Sequence, residues 1–297
     1  MSRFLVLGGS GYLGSRFLQL LPDSYGTFFS SANYSTQNML HFDGSDMDEF
    51  NAILEKIKPD VVLNCIGFTN VDHCDQLPEK CWKLNANYPY KYAEVCKKYD
   101  IQFVQISTDH FLNSGGLKLK ENDLCAPINH YGFSKLYAER LILEVNPTAI
   151  IVRTNFFHFN FQSPVTFLDN LLINSGKMQK TFSFNDVVFT PIATNSLIRI
   201  IYNLYDQNFH GLINICGKEE LSKYMFHEEV LKALGVTRDF HYPMSVDESC
   251  LAAPRPKYMA LDSTLLESIL NYRLPSIYDM IQEEILFAKK KGESVVK

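Results

Sequence analysis

The chain has no apolar run long enough to cross a bilayer, no surplus of positive charge and no cysteine pair of the CxxC kind. Each absence removes a class of protein. A formal net charge of −5 leaves nothing to neutralise phosphates, which argues against a nucleic-acid or membrane-surface binder. The one basic run, Lys289-Lys290-Lys291, ends a predicted helix, where cations suit the helix dipole. The cysteines at 65, 74, 81, 96, 125, 216 and 250 form no Cys/His ligand cluster, so no metal is expected. Met1-Ser2-Arg3 leads straight into an apolar segment rather than a signal peptide. Internal repeats, low-complexity tracts and flexible linkers are also missing. A reduced, cytoplasmic protein is expected.

What the chain does have is alternation. Strands are predicted at Phe4–Leu7, Thr27–Ser31, Val61–Ile66, Gln102–Ile106 and Ala149–Arg153. Helices are predicted at Leu13–Leu21, Asp46–Ile57 and Pro78–Tyr99, and another carries Tyr131 and runs to Val145. Repeated strand–helix–strand units imply an α/β fold with a doubly wound parallel (Rossmann) sheet. The rhythm breaks after Arg153. Residues 155–192 are rich in Phe and Asn, with a helical island near 167–174, and 238–256 read as irregular. The predicted division is a dinucleotide-binding domain at 1–154, completed by 187–217 and 263–291. A smaller irregular substrate lobe takes 155–186 and 218–262.

The first predicted strand runs into Gly8-x-x-Gly11-x-x-Gly14. Such glycines can simply make a tight turn, but a buried strand before and a helix after favour a dinucleotide site. Gly8 permits the turn, Gly11 lets the backbone approach a pyrophosphate, and Gly14 lets helix and strand pack closely. The usual acidic partner for the adenosine ribose is absent, since Ser24 to Phe42 contains no carboxylate. Ser30 and Ser31 occupy its expected place. Hydroxyls do not repel a 2′-phosphate, and Arg16 lies early in the first predicted helix, so either NADH or NADPH is expected, with NADPH favoured. Asp43 reads equally as an adenine contact or as a solvated turn residue.

Tyr131 and Lys135 are one helical turn apart and share a face. A phenol is a poor acid at neutral pH unless a nearby ammonium favours its anion, and Tyr-x-x-x-Lys supplies that pairing. Lys135 can also bind the nicotinamide ribose. Thr108, after the strand ending Ile106-Ser107, would hydrogen-bond a substrate carbonyl as charge develops on it. Asn64 lies inside an apolar strand, where bracing the sheet and touching a ligand are both open readings. Asn85 interrupts the longest helix and would hold a kink or a water. Arg153 ends a strand, with an ion pair to a helix and substrate binding as its two readings. Asp109 is expected in a turn and His110 in a pocket wall.

These residues together resemble the extended short-chain dehydrogenase/reductases, and within them the dTDP-4-dehydrorhamnose reductase-like group. The resemblance rests on several stretches besides the glycine turn: Lys58 to Asn64, Phe68-Thr69-Asn70-Val71-Asp72, Ile106-Ser107-Thr108-Asp109, Tyr131-Gly132-Phe133-Ser134-Lys135-Leu136, Val152-Arg153-Thr154, and Arg255-Pro256 followed by Leu261-Asp262. It implies that Thr108, Tyr131 and Lys135 are catalytic. It places Gly8, Gly11, Tyr12, Leu13, Gly14, Asp43 and the Cys65-Ile66-Gly67-Phe68 segment around the cofactor. Val71 and Arg153 fall in the substrate site, with His110, Phe156 and Arg255 completing the expected set.

The implied activity is NAD(P)H-dependent reduction of the 4-keto group of a nucleotide-linked 6-deoxyhexose. The implied partners are that nucleotide sugar and a second copy of the chain. Where the group usually has Tyr after Ser-Thr-Asp, this chain has His110. Asn155-Phe156 stands where a Trp is common, and Met259 replaces a small hydroxyl residue. All three changes concern which sugar is taken. Two rival readings stay open. One is a non-catalytic cofactor-binding subunit resembling the beta subunit of methionine adenosyltransferase. The other is a nucleotide-sugar epimerase.

Overall fold

In the computed structural model the apolar run Phe4–Leu7 is a strand, β1, with all four side chains buried. The structure describes residues 2–30, 38–111, 117–159, 167–271 and 273–290. The strands after β1 are β2 (Tyr25–Phe28), β3 (Met39–His41), β4 (Val61–Asn64), β5 (Gln102–Ile106), β6 (Ile150–Arg153), β7 (Phe156–Phe157), β8 (Thr181–Phe184), β9 (Val188–Phe189), β10 (Ile192–Ala193), β11 (Gly211–Asn214), β12 (Leu221–Ser222) and β13 (His241–Met244). The α-helices are α1 (Tyr12–Leu20), α2 (Met47–Ile57), α3 (Val71–Gln76), α4 (Pro78–Trp82), α5 (Tyr88–Lys98), α6 (His130–Val145), α7 (Phe167–Gly176), α8 (Thr194–Asp206), α9 (Lys223–Ala233), α10 (Thr264–Leu270) and α11 (Ile277–Lys290). A π-helical turn, Lys83–Asn87, joins α4 to α5.

Seven strands form one sheet in the order β11-β6-β5-β4-β1-β2-β3. The pairs β1–β2, β1–β4, β2–β3, β4–β5 and β5–β6 are all parallel. From β1 the chain steps outward to β2 and β3, then returns to β4 on the other side. Such a reversal of strand order is where open α/β sheets bind ligands, at the carboxyl ends of the strands. The sequence-derived α/β fold with a doubly wound parallel sheet is therefore the observed one.

The chain divides into two compact units. The first comprises Met1–Thr108, Pro127–Arg153 and Ile201–Ile213, and the second Asp109–Ala126, Thr154–Ile200 and Asn214–Lys297. The first unit buries Leu5, Phe50, Leu54, Tyr92, Phe103 and Ile151 in one core. Its helix α2 shows how local sequence feeds that core. Asp46 caps it by accepting from the N–H groups of Asp48 and Glu49, and acids in the first turn suit the dipole. Phe50, Ile53, Leu54 and Ile57 then recur at helical spacing and are buried. Each large apolar side chain so buried contributes about 1.5–3 kcal/mol. Lys58 ends the helix in the left-handed region, with φ 50°.

The second unit contains three two-stranded pairs: β7 with β10, β9 with β12, and β8 with β13. Here the structure departs from the expected division. Residues 109–126, 187–200, 214–217 and 263–291, expected with the dinucleotide-binding domain, fall in the second unit, while 218–262 fall there as expected. Helix α11 is held there by Glu284, which accepts from Asn195 N–H at 3.1 Å, and by the Met280 sulfur, 3.4 Å from Ala193 N–H. Strand β2 begins earlier than Thr27, because Tyr25-Gly26 opens it and glycine is a poor strand signal. The supposedly irregular 238–256 contains β13, whose Pro243 hides it from any pattern of strand propensity.

Candidate active site

The glycine turn sits at the carboxyl end of β1. Gly8 has φ 77°, and a Cβ there would lie 3.2 Å from the Ile66 nitrogen. A Cβ on Gly14 would stand 2.3 Å from the Gly8 oxygen, so only glycine lets α1 pack this closely on the turn. Gly11 N–H donates to Gly8 O at 2.9 Å, and Gly8 N–H donates to the Thr27 hydroxyl at 3.0 Å. No side chain caps α1, and no acid stands in its first turn. The first-turn N–H groups of a helix point out of its N-terminus, here from the segment that opens at Tyr12. A turn of this build fits the diphosphate of a dinucleotide, which gains from those N–H groups and from the dipole.

Beyond β2, Ser30 is exposed, and Ser31 lies outside the described residues. Arg16 is buried in α1 at 3 % exposure. Asp43 Oδ1 accepts from the Ser45 N–H at 2.6 Å, the Ser45 hydroxyl at 2.9 Å and the Asp46 N–H at 3.2 Å. Those hydrogen bonds hold its carboxyl below the usual carboxylate range. Asp43 is thus an exposed turn residue built into the approach to α2.

After β4 the chain turns through Cys65, Ile66 and Gly67, all half-buried. Cys65 N–H donates to Leu7 O at 3.0 Å, tying this segment to the end of β1. Burial pushes the Cys65 thiol up to about 12. Asn64 is fully buried: its amide donates to Gln105 Oε1 at 2.8 Å, and its oxygen accepts from Ile66 N–H at 3.0 Å. It braces β4 against β5. Asn85 lies in the π-helical turn, as its break in the helix pattern foretold. Its oxygen accepts from Phe68 N–H at 2.7 Å. Its amide donates to Phe68 O at 3.0 Å and to the Ser134 hydroxyl at 3.1 Å. The Asn85 side chain therefore fastens the Cys65–Phe68 segment to α6.

Helix α6, capped by Asn129 on the Gly132 N–H at 2.8 Å, buries polar groups where an ordinary helix would bury leucines. Tyr131, Lys135 and Glu139 follow one another at four-residue spacing on its buried face. Lys135 Nζ donates to Ile106 O at 2.7 Å, at the end of β5. Burial lowers its pKa from 10.5 to about 8, with the Glu139 carboxylate opposing the fall. Thr108 is buried just beyond that strand. Ser107 N–H donates to Val152 O at 2.7 Å, and its hydroxyl donates to Glu139 at 2.5 Å. Arg153 meets Glu139 through Nε at 3.1 Å and Nη2 at 2.7 Å, with both side chains about 4 % exposed. The ion pair to a helix, one of the two sequence readings of Arg153, is what the structure shows. Glu139 itself went unread, because an acid in a helix ordinarily faces water. Its signal was the continued four-residue spacing from Tyr131 and Lys135.

The expected substrate residues divide between the units. Val71 opens α3 in the first and is buried. His110, Phe156 and Arg255 belong to the second. Burial pushes the His110 imidazole down to about 3, and the Lys223 and Arg255 cations add to the effect. Arg255 Nη1 donates to Ala253 O at 2.7 Å. Asp109 is buried beneath its turn, and Oδ2 accepts from the Asn155 amide at 2.6 Å. Among the described residues no helix is long and apolar enough to cross a membrane.

The chain matches the RmlD substrate binding domain family over residues 2–286. It is 25% identical to the probable low-salt glycan biosynthesis reductase Agl14 of Haloferax volcanii over 283 residues, covering 92% of this chain and 94% of that protein. It is 26% identical to methionine adenosyltransferase 2 subunit beta of Danio rerio over 276 residues, covering 89% and 84%. Among solved structures, a dTDP-4-dehydrorhamnose reductase from Clostridium acetobutylicum superposes with a TM-score of 0.81 at 26% identity, covering 97% of this chain and 99% of that one. By the extent of the family match, the chain belongs to the RmlD substrate binding domain family.

Proposed function

We propose that the protein is an NAD(P)H-dependent reductase of the 4-keto group of a nucleotide-linked 6-deoxyhexose. The observation that carries this reading is the Lys135 ammonium, buried one turn from Tyr131 and hydrogen-bonded to the end of β5 beside Thr108. The reductase names of the relatives support it. A nicotinamide dinucleotide supplies hydride to the keto carbon when bound. Gly8, Gly11, Tyr12, Leu13, Gly14 and Cys65–Gly67 would hold it, with Ser30 and Ser31 near its adenosine ribose. Tyr131 gives its hydroxyl proton to the carbonyl oxygen, which becomes the product alcohol. Lys135 stabilises the phenolate left behind, and Thr108 orients the carbonyl by a hydrogen bond.

The first unit then serves as the dinucleotide module and the second as the substrate lobe, with Val71, His110, Phe156 and Arg255 toward the sugar nucleotide. Both nicotinamide cofactors fit the site, and the absence of a carboxylate after β2 favours NADPH. A second copy of the chain is the proposed protein partner, supported by Phe133 and Tyr137 standing exposed on α6. Seven free cysteines support a cytoplasmic setting.

The test is to mix the protein with NADPH or NADH and with dTDP- or GDP-linked 4-keto-6-deoxy sugars, and to follow cofactor oxidation. Turnover with at least one sugar is expected. The likeness to the methionine adenosyltransferase subunit sustains a second reading, that of a cofactor-binding subunit without turnover. No oxidation with any sugar, together with altered kinetics of an added methionine adenosyltransferase, would establish that reading instead.

A further inference from the structure

One buried carboxylate ties the helix that bears Tyr131 and Lys135 to two strand ends. Glu139 lies one turn beyond Lys135 and two beyond Tyr131, at 3 % exposure. It takes the Ser107 hydroxyl at 2.5 Å, immediately before Thr108. It takes Arg153 Nε and Nη2 at the end of β6, at 3.1 and 2.7 Å. Lys135 closes the arrangement by donating to Ile106 O, one residue before Ser107. A single acid thus joins the carboxyl ends of β5 and β6 to the helix bearing the two reactive side chains.

We propose that Glu139 is the positioning residue of this site: it fixes Ser107, and through it Thr108, and supplies the negative charge that keeps the buried Lys135 side chain an ammonium. The inference rests on the reductase reading but concerns a property of the resting protein. The charges that act on Lys135 are Glu139 on α6, Cys65 after β4, Cys74 on α3 and Cys81 on α4, with the Arg153 cation paired to Glu139 and Tyr131 one turn before Lys135 on α6. Cys65 is no source of charge, because burial keeps its thiol protonated. Cys74 is pushed up by its hydrogen bond with Cys81 and by burial. Cys81 is drawn down to about 7, first by that same bond and then by those from Ser134 and Asn85, so its thiolate is the competing anion. Glu139 differs from it in having a guanidinium and a hydroxyl committed to its oxygens.

The experiment reads the Lys135 13Cε resonance against pH in the full-length protein, the signal being assigned by its loss in Lys135→Arg. Glu139→Gln should lower the proton affinity of Lys135 by roughly tenfold or more, the effect of removing an adjacent opposite charge. Glu139→Asp should restore most of it. The alkaline limb of the pH–turnover profile should move the same way in Glu139→Gln. An unmoved Lys135 titration would overturn the proposal even if the variant melted earlier, since that is all a purely structural role predicts. A larger fall in Cys81→Ala than in Glu139→Gln would overturn it too, by assigning the charge to the thiolate. Should Glu139→Gln fail to fold with Arg153 stranded, Glu139→Gln/Arg153→Gln is compared with Arg153→Gln alone, and Lys135 must titrate lower in the double variant. If the wild type reduces no sugar, the reductase reading fails, while the titration still decides the role of Glu139.

Discussion

Two buried polar chains run through this molecule, built from similar parts and arranged to opposite ends. In the second unit Glu228 Oε1 meets His241 Nδ1 at 2.7 Å, His241 Nε2 meets Ser183 Oγ at 2.7 Å, and Ser183 Oγ meets His227 Nδ1 at 2.8 Å. In the first unit Ser107, Arg153 and Lys135 gather around Glu139. The former has the carboxylate–imidazole–hydroxyl order of a serine hydrolase, and the latter does not. Yet Ser183 is only 3 % exposed on β8, and its hydroxyl is committed to two imidazoles. No nucleophile elbow presents it. Burial first, and then the Lys223 cation, holds His227 well below its ordinary value, so the imidazole is neutral, as buried imidazoles prefer. Among Glu228, His241, Ser183 and His227 themselves no cation is kept against burial; the neighbouring Lys223, which burial also pushes down to about 8, lies outside that hydrogen-bonded series.

The α6 chain is different in that respect. It stands at the carboxyl ends of parallel strands beside the glycine turn, and it retains a cation that burial disfavours. The order of functional groups is therefore a poorer guide to activity than the cost at which one of them is maintained.

Removing one hydroxyl from each chain separates them most sharply. Tyr131→Phe deletes the proton donor and nothing else of that size, so turnover should fall about 10²–10⁴-fold, the ordinary contribution of general acid catalysis. Cofactor affinity, read by fluorescence titration, should stay close to that of the wild type. Wild-type turnover in this variant would remove Tyr131 from the mechanism and collapse the contrast.

The next effect is on stability and has an unusual sign. Lys135 binds its proton less tightly in the folded chain, near 8, than in the unfolded one, near 10.5. Between those values the unfolded state holds more protons, so stability from this residue rises with pH across that window, and its cost is fully present below it. Lys135→Met removes the cost and also the hydrogen bond to Ile106 O, which offsets part of the gain. A net gain of about 1–2 kcal/mol is expected at pH 7, shrinking at pH 9.5, with turnover lost at both. Calorimetry at the two pH values reads it. Equal destabilisation at both would mean that Lys135 is not held at a cost.

How much of this was legible beforehand follows from distance along the chain. Gly8 to Gly14, Tyr131 with Lys135, and Asn85 within its helix were readable because each signal is local, one turn or one strand end long. The parallel sheet was readable because β1 is apolar throughout, β4 and β6 are apolar up to their last residue, and helices separate them. The Glu139–Arg153 pair was not, because fourteen residues and a strand separate its members, and an acid in a helix gives no sign of burial. For Arg153 the ion-pair reading became visible only with its partner, and the substrate reading stays a proposal. The pairing of β8 with β13 was hidden for another reason: the strands are short, polar, far apart in sequence and interrupted by Pro243.

The smallest effect tests the quieter chain. Ser183→Ala takes away the hydroxyl that His241 Nε2 and His227 Nδ1 share, leaving two buried ring nitrogens without it. An unsatisfied buried polar group costs about 1–3 kcal/mol, and a small void adds little, so the variant should melt earlier than the wild type. Turnover measured well below that transition should stay within about twofold, since surface and structural changes remote from the chemistry rarely do more. Hydrolysis of a p-nitrophenyl ester should be absent from both proteins. If Ser183→Ala instead abolished an esterase activity present in the wild type, the Glu228–His241–Ser183 series would be a working triad. The distinction drawn between a chain that stores cost and one that does not would then fail.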